Sequence, residues 1–275
     1  MSTLMIKRNI KEMPARFVTN FSYTGDSVLE VENGYPQISF LTSGELTPKE
    51  SIYVDVFLVG GGGRGDTVAE SSRGGNGGEA FTKKGILLEA GTAYQIVIGA
   101  GSTAQSSSTD SGAGVAKPTY GGSTVAFHHL AHGGRSGNVG DVEGEIYGSG
   151  GGGKGVGEEG YGGNGGFDGS DGGSGFDSVN NVETKAKKGQ GKTTRAFGDP
   201  NGKLYAGGGG GSGVFEIGLA GQGGGGGAID HGTYYTFSPD GQPNTGGGGM
   251  GASYVNGGLC GSGGSGVVII RKAAV

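Results

Sequence analysis

The chain has 275 residues, 71 of them glycine, with a net charge of −5 and a single cysteine. Glycine is about a quarter of the chain, against ~7% in average proteins, and each one costs roughly 0.5–1 kcal/mol relative to Ala in a helix or strand interior. That excludes an ordinary helical or α/β domain, the acidic balance disfavours a general nucleic-acid binder, and Cys260 alone can make neither an internal disulfide nor a cysteine-based zinc site.

The N-terminal stretch, residues 1–17, carries Lys7, Arg8, Lys11, Glu12 and Arg16 and has no apolar core of signal-peptide length. The longest strictly aliphatic run, Val267–Ile270, is far too short to span a membrane as a helix. The expectation is a protein made in a reducing cytosol and working without a membrane anchor.

Glycines are unevenly placed. Residues 1–59 hold only Gly25, Gly34 and Gly44, which predicts a boundary near Gly60. We expect an N-terminal β region over 1–59, used for attachment or oligomer contact, and a glycine-rich domain over 60–275. In the first, 51–59 alternates, with Ile52, Val54, Val56 and Leu58 on one face. Residues 37–41 are its expected partner across a turn near Gly44 and Pro48. Residues 93–98 and 124–127 read as further strands. The final strand, 267–271, is expected to return to the sheet beside 52–59. No segment has a convincing helical period.

Beyond Val59, glycine runs fall at 60–63, 74–78, 148–153, 160–175, 207–213, 221–227, 246–251 and 257–266. Within 160–175 the glycines recur strictly every third residue, and similar spacings follow Gly207 and Gly218. Three residues per turn is the repeat of a polyproline II-type helix, which has no internal hydrogen bonds. Buried backbone must be paired. The predicted fold is therefore all-β and irregular: a small antiparallel sheet or sandwich plus a bundle of antiparallel polyglycine II helices, with essentially no α-helix. If each run crosses the bundle once, loops 135–147, 176–206 and 228–245 fall at one end. Turns 154–159, 214–220 and 252–256 then fall at the other.

Several motifs are weak. Ala186 to Thr193 matches a loose phosphate-binding loop but lacks the flanking strand and helix. Arg64-Gly65-Asp66 is a tripeptide that chance explains in this composition. His128, His129 and His132 suit a polar strand edge better than a metal site. Residues 163–180 resemble two calcium-roll nonapeptides, making Asp168, Asp171 and Asp177 weak calcium candidates, but a roll needs three or more repeats. No nucleophile, base and acid fall into a catalytic arrangement, so an enzyme is not expected, nor is a cofactor. Two features suit binding instead. Aromatics gather in the long loops, at Tyr147, Tyr205, Tyr234, Tyr235 and Phe237, where exposed rings stack on sugars or anchor protein contacts. A basic stretch with Lys187, Lys188 and Lys192 could steer anionic groups.

The junction 53–63 (YVDVFLVGGGG), the stretch 88–101 (LEAGTAYQIVIGAG), residues 120–127 (YGGSTVAF) and the ending 263–271 (GGSGVVIIR) resemble a glycine-rich domain found in phage tail and bacterial surface proteins. The glycine runs are also similar to those of T-even phage tail-fibre adhesins, whose polyglycine II sandwich presents loops to host receptors; their Trp-containing attachment segment has no counterpart here, since the chain has no Trp. The resemblance implies a virion-tail protein, made in the host cytoplasm. It would attach to a tail fibre or baseplate protein and bind a host surface protein or glycan, with no nucleic acid and no membrane insertion. A structural tail component that reads no receptor is the alternative. An ice-binding polyglycine II protein is a third reading, which the long loops disfavour.

Overall fold

A computed structural model describes residues 5–6, 17, 20–67, 72–105, 119–137, 151, 175–177, 182–184, 194–211, 220–227, 238–252 and 259–274. Among them the structure is all-β apart from the helical Phe17 and a 3-10 turn, Ala196–Gly198. No helix there is long and apolar enough to cross a membrane.

The strands in chain order are β1 (Met5–Ile6), β2 (Phe21–Tyr23), β3 (Ser27–Glu32), β4 (Tyr35–Phe40), β5 (Gly44–Pro48), β6 (Ile52–Val59), β7 (Ala80–Leu88), β8 (Tyr94–Val97), β9 (Thr124–Ala126), β10 (His129–Ala131), β11 (Gly175–Asp177), β12 (Val182–Thr184) and β13 (Val267–Lys272). One sheet has the order β1-β3-β4-β13-β6-β7, the second β10-β9-β8-β5-β2, and β11 pairs with β12 alone. Both large sheets take strands from either side of Gly60.

Alternation puts Val54, Val56 and Leu58 of β6, Ile38 and Phe40 of β4, and Val268 and Ile270 of β13 on one face. They pack against Leu46, Ile96, Ala126 and Ala131 of the second sheet, making a two-layer sandwich. The expected partner of 52–59 is corrected. Strand β4 does not pair with β6, because β13 inserts between them, with Val268 opposite both Phe40 and Leu58. A run of four aliphatic residues is best buried in mid-sheet, where both faces are covered. Strand β3 is not among the expected strands. Its signal was Asn33-Gly34, at φ 50° and 83°, which closes a two-residue hairpin between β3 and β4.

The remaining chain forms a second storey. Six strands run straight into glycine-rich segments without an intervening loop: β6 into 60–65, 74–79 into β7, β8 into 99–102, 119–122 into β9, β10 into 132–137, and 261–266 into β13. Their hydrogen bonds repeat every third residue. The N–H groups of Gly60 and Gly63 reach Glu79 and Asn76, while those of Gly62 and Gly65 reach Gly264 and Gly261. The N–H groups of Gly75 and Gly78 reach Gly249 and Gly246, and those of Asn76 and Glu79 reach Arg135 and His132. Residues three apart thus address the same neighbour, which is what a backbone with three residues per turn requires.

Packing is backbone on backbone. A Cβ added at Gly62 would sit 2.0 Å from the Gly247 carbonyl oxygen, and one at Gly65 would sit 1.9 Å from that of Met250. Both distances are well inside van der Waals contact, so only glycine allows this approach.

The expectation of a purely antiparallel bundle is corrected. Segment 60–65 is antiparallel to 74–79 and 261–266 but parallel to 132–137, because Gly134 and Gly137 donate to Gly61 and Arg64 in ascending order. Segment 246–251 likewise runs parallel to 206–211. Bonds radiating in three directions place no demand on neighbour polarity, unlike the in-plane bonds of a sheet.

Candidate recognition surface

Following these bonds gives each segment a direction. Segments 60–65, 99–102, 132–137, 206–211, 224–227 and 246–251 lead away from the sandwich, and 74–79, 119–122, 220–223, 238–242 and 261–266 lead back. Near the sandwich the chain turns tightly at 222–224, where Gly223 and Gly224 have φ 97° and 92°, and again at 243–245, where the Thr245 hydroxyl donates to the Gln242 carbonyl. The described residues flanking 68–71, 106–118, 138–150, 212–219, 228–237 and 253–258 all lie at the other, far pole.

The expected distribution of loops is corrected accordingly. Run 221–227 does not cross the bundle once; it folds back on itself at 222–224. Residues 238–242, with Gly241 their only glycine, make a crossing that counting runs could not see. Hence the described flanks of 212–219, 228–237 and 253–258 belong to one pole, so the expected turns 214–220 and 252–256 share an end with the first part of the expected loop 228–245 rather than lying opposite it. The sandwich occupies the opposite pole.

Described side chains at the far pole include Asp66, Arg73, Thr119, Tyr120, Ser238, Asp240 and Leu259. Tyr120 is 51% and Leu259 45% exposed. The Arg135 guanidinium lies 5.9 Å from the Tyr120 ring centroid, a cation–π contact at an otherwise open ring. This pair is not among the expected binding residues. Its signal was an aromatic at a glycine-segment entry, Tyr120-Gly121-Gly122, with no apolar strand before it.

Of the predicted binding residues, Tyr205 is described, and it is corrected. It is 2% exposed and packs on Phe57, with ring centroids 5.2 Å apart. Burial, with Glu32 and Glu30 nearby, raises its phenol well above the usual range. With Phe197 and Ala196 it covers Phe57, Val59, Val267 and Ile269 on the outer face of the first sheet. That arm is clasped by Lys203 N–H to the Glu32 carboxylate and by the Asn33 amide to Asp199. Tyr147, Tyr234, Tyr235, Phe237, Lys187, Lys188 and Lys192 lie outside the described residues. Their anchors differ, however. Gly227 and Ser238 hold the ends of 228–237 at the far pole, whereas Thr194, just after the basic stretch, sits beside Tyr205 at the sandwich junction.

Arg64 is 1% exposed, so its tripeptide is not displayed. His128 occupies a two-residue turn with Phe127, at φ 63° and 50°, rather than a strand. His129 sits in β10 edge-on to Phe81, its pKa lowered by desolvation, then by Lys83 and His128. His132 follows the strand, its N–H donating to the Glu79 carboxylate. Asp168, Asp171 and the loose phosphate-loop match over 186–193 lie outside the described residues. Asp177 ends β11, which pairs antiparallel with β12, unlike the parallel stacking of a calcium roll. Among the described residues no group of three or more His, Cys, Asp or Glu could hold a metal.

The chain's residues 41–273 match the family model described as the glycine-rich domain. The chain belongs to this family. No curated protein matches it. The glycine-rich domain match begins in the sandwich and ends just after β13, so it takes in both storeys.

Proposed function

We propose that this glycine-rich domain is the receptor-binding adhesin of a phage tail fibre or tail tip. Its glycine segments are polyglycine II helices, and it acts by binding rather than catalysis. The observation that carries the reading is the segregation of described loop flanks to the pole opposite the sandwich, on a scaffold whose backbone is bonded in three directions. A rigid frame with its variable connections gathered on one face is how recognition surfaces are built. The resemblance in sequence supports the virion setting.

In this reading Tyr234, Tyr235 and Phe237 supply the contact with a host surface protein or glycan, held at the far pole by Gly227 and Ser238. Tyr120 and Arg135 extend that surface. Lys187, Lys188 and Lys192 play a lesser part, since the segment they belong to is tied at Thr194. The sandwich pole attaches to a tail fibre or baseplate protein, and the exposed outer-face rings of Tyr35 and Tyr53 suit such a contact.

Competition for phage adsorption tests the reading. Purified protein is expected to block adsorption to host cells, and replacing 228–237 with a short glycine-serine linker is expected to abolish the block. Folded protein that never competes would favour a structural tail component instead.

A further inference from the structure

At the far pole the bundle encloses a guanidinium. Arg64 Nε donates to the Thr119 hydroxyl at 3.0 Å, and Nη1 reaches the Gly65 carbonyl at 3.1 Å and Cys260 Sγ at 3.7 Å. Nη2 is buried without a hydrogen-bond partner. No carboxylate among the described residues pairs with it. Asp66 accepts from the Thr67 N–H, and Asp240 accepts from the Ser262 N–H. Nor does the cysteine neutralise it. Burial pushes the Cys260 thiol up despite Arg64 beside it, and the thiol donates to the Gln105 carbonyl. A buried charge left this way costs several kcal/mol.

Donor accounting around Arg64 points the same way. The Ser102 hydroxyl accepts from the Arg64 backbone N–H, the Thr119 hydroxyl accepts from Nε, and the Ser262 hydroxyl accepts from the Ala104 N–H. Each hydroxyl also has one proton to give, and no acceptor for these protons occurs among the described residues. The cluster is therefore rich in donors and short of one negative acceptor.

We propose that this cluster binds a small monovalent anion of chloride size, held by Arg64 Nη2 and the hydroxyls of Ser102 and Thr119. A single remaining guanidinium nitrogen and complete burial suit a monatomic ion better than phosphate or sulfate. The anion would tie together segments 60–65, 99–105 and 119–122, each of which supplies one of these groups. The site is independent of the adhesin reading.

The test uses the full chain. Its thermal unfolding midpoint is followed as chloride replaces gluconate at constant ionic strength. A saturating rise of about 2–4 °C is expected, absent in Arg64→Met, and shifted to higher chloride in Ser102→Ala. Superimposable midpoints in the two salts, or a response that survives in Arg64→Met, would overturn the proposal. Should Arg64→Met fail to fold, crystals grown in bromide decide. An anomalous peak within hydrogen-bond distance of Arg64 Nη2 supports the site, and its absence sinks it.

Discussion

Single residues in this protein are constrained by backbone proximity more than by side-chain fit. Replacing Gly62 with Ala puts a methyl carbon into the Gly247 carbonyl, and a peptide plane cannot swing aside as a side chain can. The expected loss is about 3 kcal/mol, read as a fall in the urea midpoint. Gly34→Asn is the contrasting case. Gly34 has φ 83° but nothing within 4 Å of an added Cβ, and Asn tolerates that conformation, so near-neutral stability is expected. Tyr23 gives a pH signature. Its hydroxyl donates to the Thr42 carbonyl, and burial, then Asp26, raises its pKa to about 12. The folded state holds that proton more tightly than the unfolded chain. Its contribution is therefore complete below pH ~10 and lost as pH rises through about 12. Tyr23→Phe is expected to flatten that alkaline decline in a denaturation series.

Among the elements, β7 shows how an edge is made safe. It ends the first sheet, and between Val54 and Val56 of its partner the register shifts at Asp55, opposite Gly85 at φ 66°. The Asp55 carboxylate accepts from the Gly85 N–H at 3.1 Å and pairs with Arg271 at 3.3 Å. Asp55→Ala strips both partners in a buried position, so a loss of about 2–3 kcal/mol is expected from chemical denaturation; Asp55→Asn should recover part of it. The bulge bends the strand, and Lys83 and Lys84 keep the edge from pairing with another chain.

At the same scale, legibility divides cleanly. The alternation of 52–59 and the aliphatic run 267–270 were readable, because burial on a sheet writes itself into local pattern. Strand β7 was not, because an edge with lysines and a glycine bulge lacks that pattern. The return of 267–271 beside 52–59 was readable and is found, but its insertion between β4 and β6 was not, since the short turn between 37–41 and 51–59 suggests that those two pair directly. The strict three-residue repeat at 160–175 lies outside the described residues, but the spacing after Gly207 falls where Gly207 and Gly210 bond Gly223 and Gly226. That spacing could not show that 221–227 doubles back, because a turn made of glycine looks like the segments it joins. The burial of Tyr205 was also hidden. An aromatic after a polar stretch reads as a loop residue until Phe57 is placed beneath it.

At the scale of the whole molecule, the two storeys share continuous segments and their hydrogen bonds. Buried N–H groups of 60–65 and 246–251 are bonded as fully as those of β6 and β13 are within their sheet. Hydrogen exchange is therefore expected to protect 60–65 and 246–251 to the level of β6, with a single unfolding transition. Fast exchange confined to the glycine segments would show a loose second storey instead.

The direct continuation of six strands into glycine segments has a mechanical consequence. Strand and segment share one covalent backbone and one axis, with no hinge at the junction. A pull on the far pole travels along several segments at once and loads their lateral hydrogen bonds in shear, many together rather than one after another. The molecule is built as a strut, stiff along the line joining its poles and softer across it.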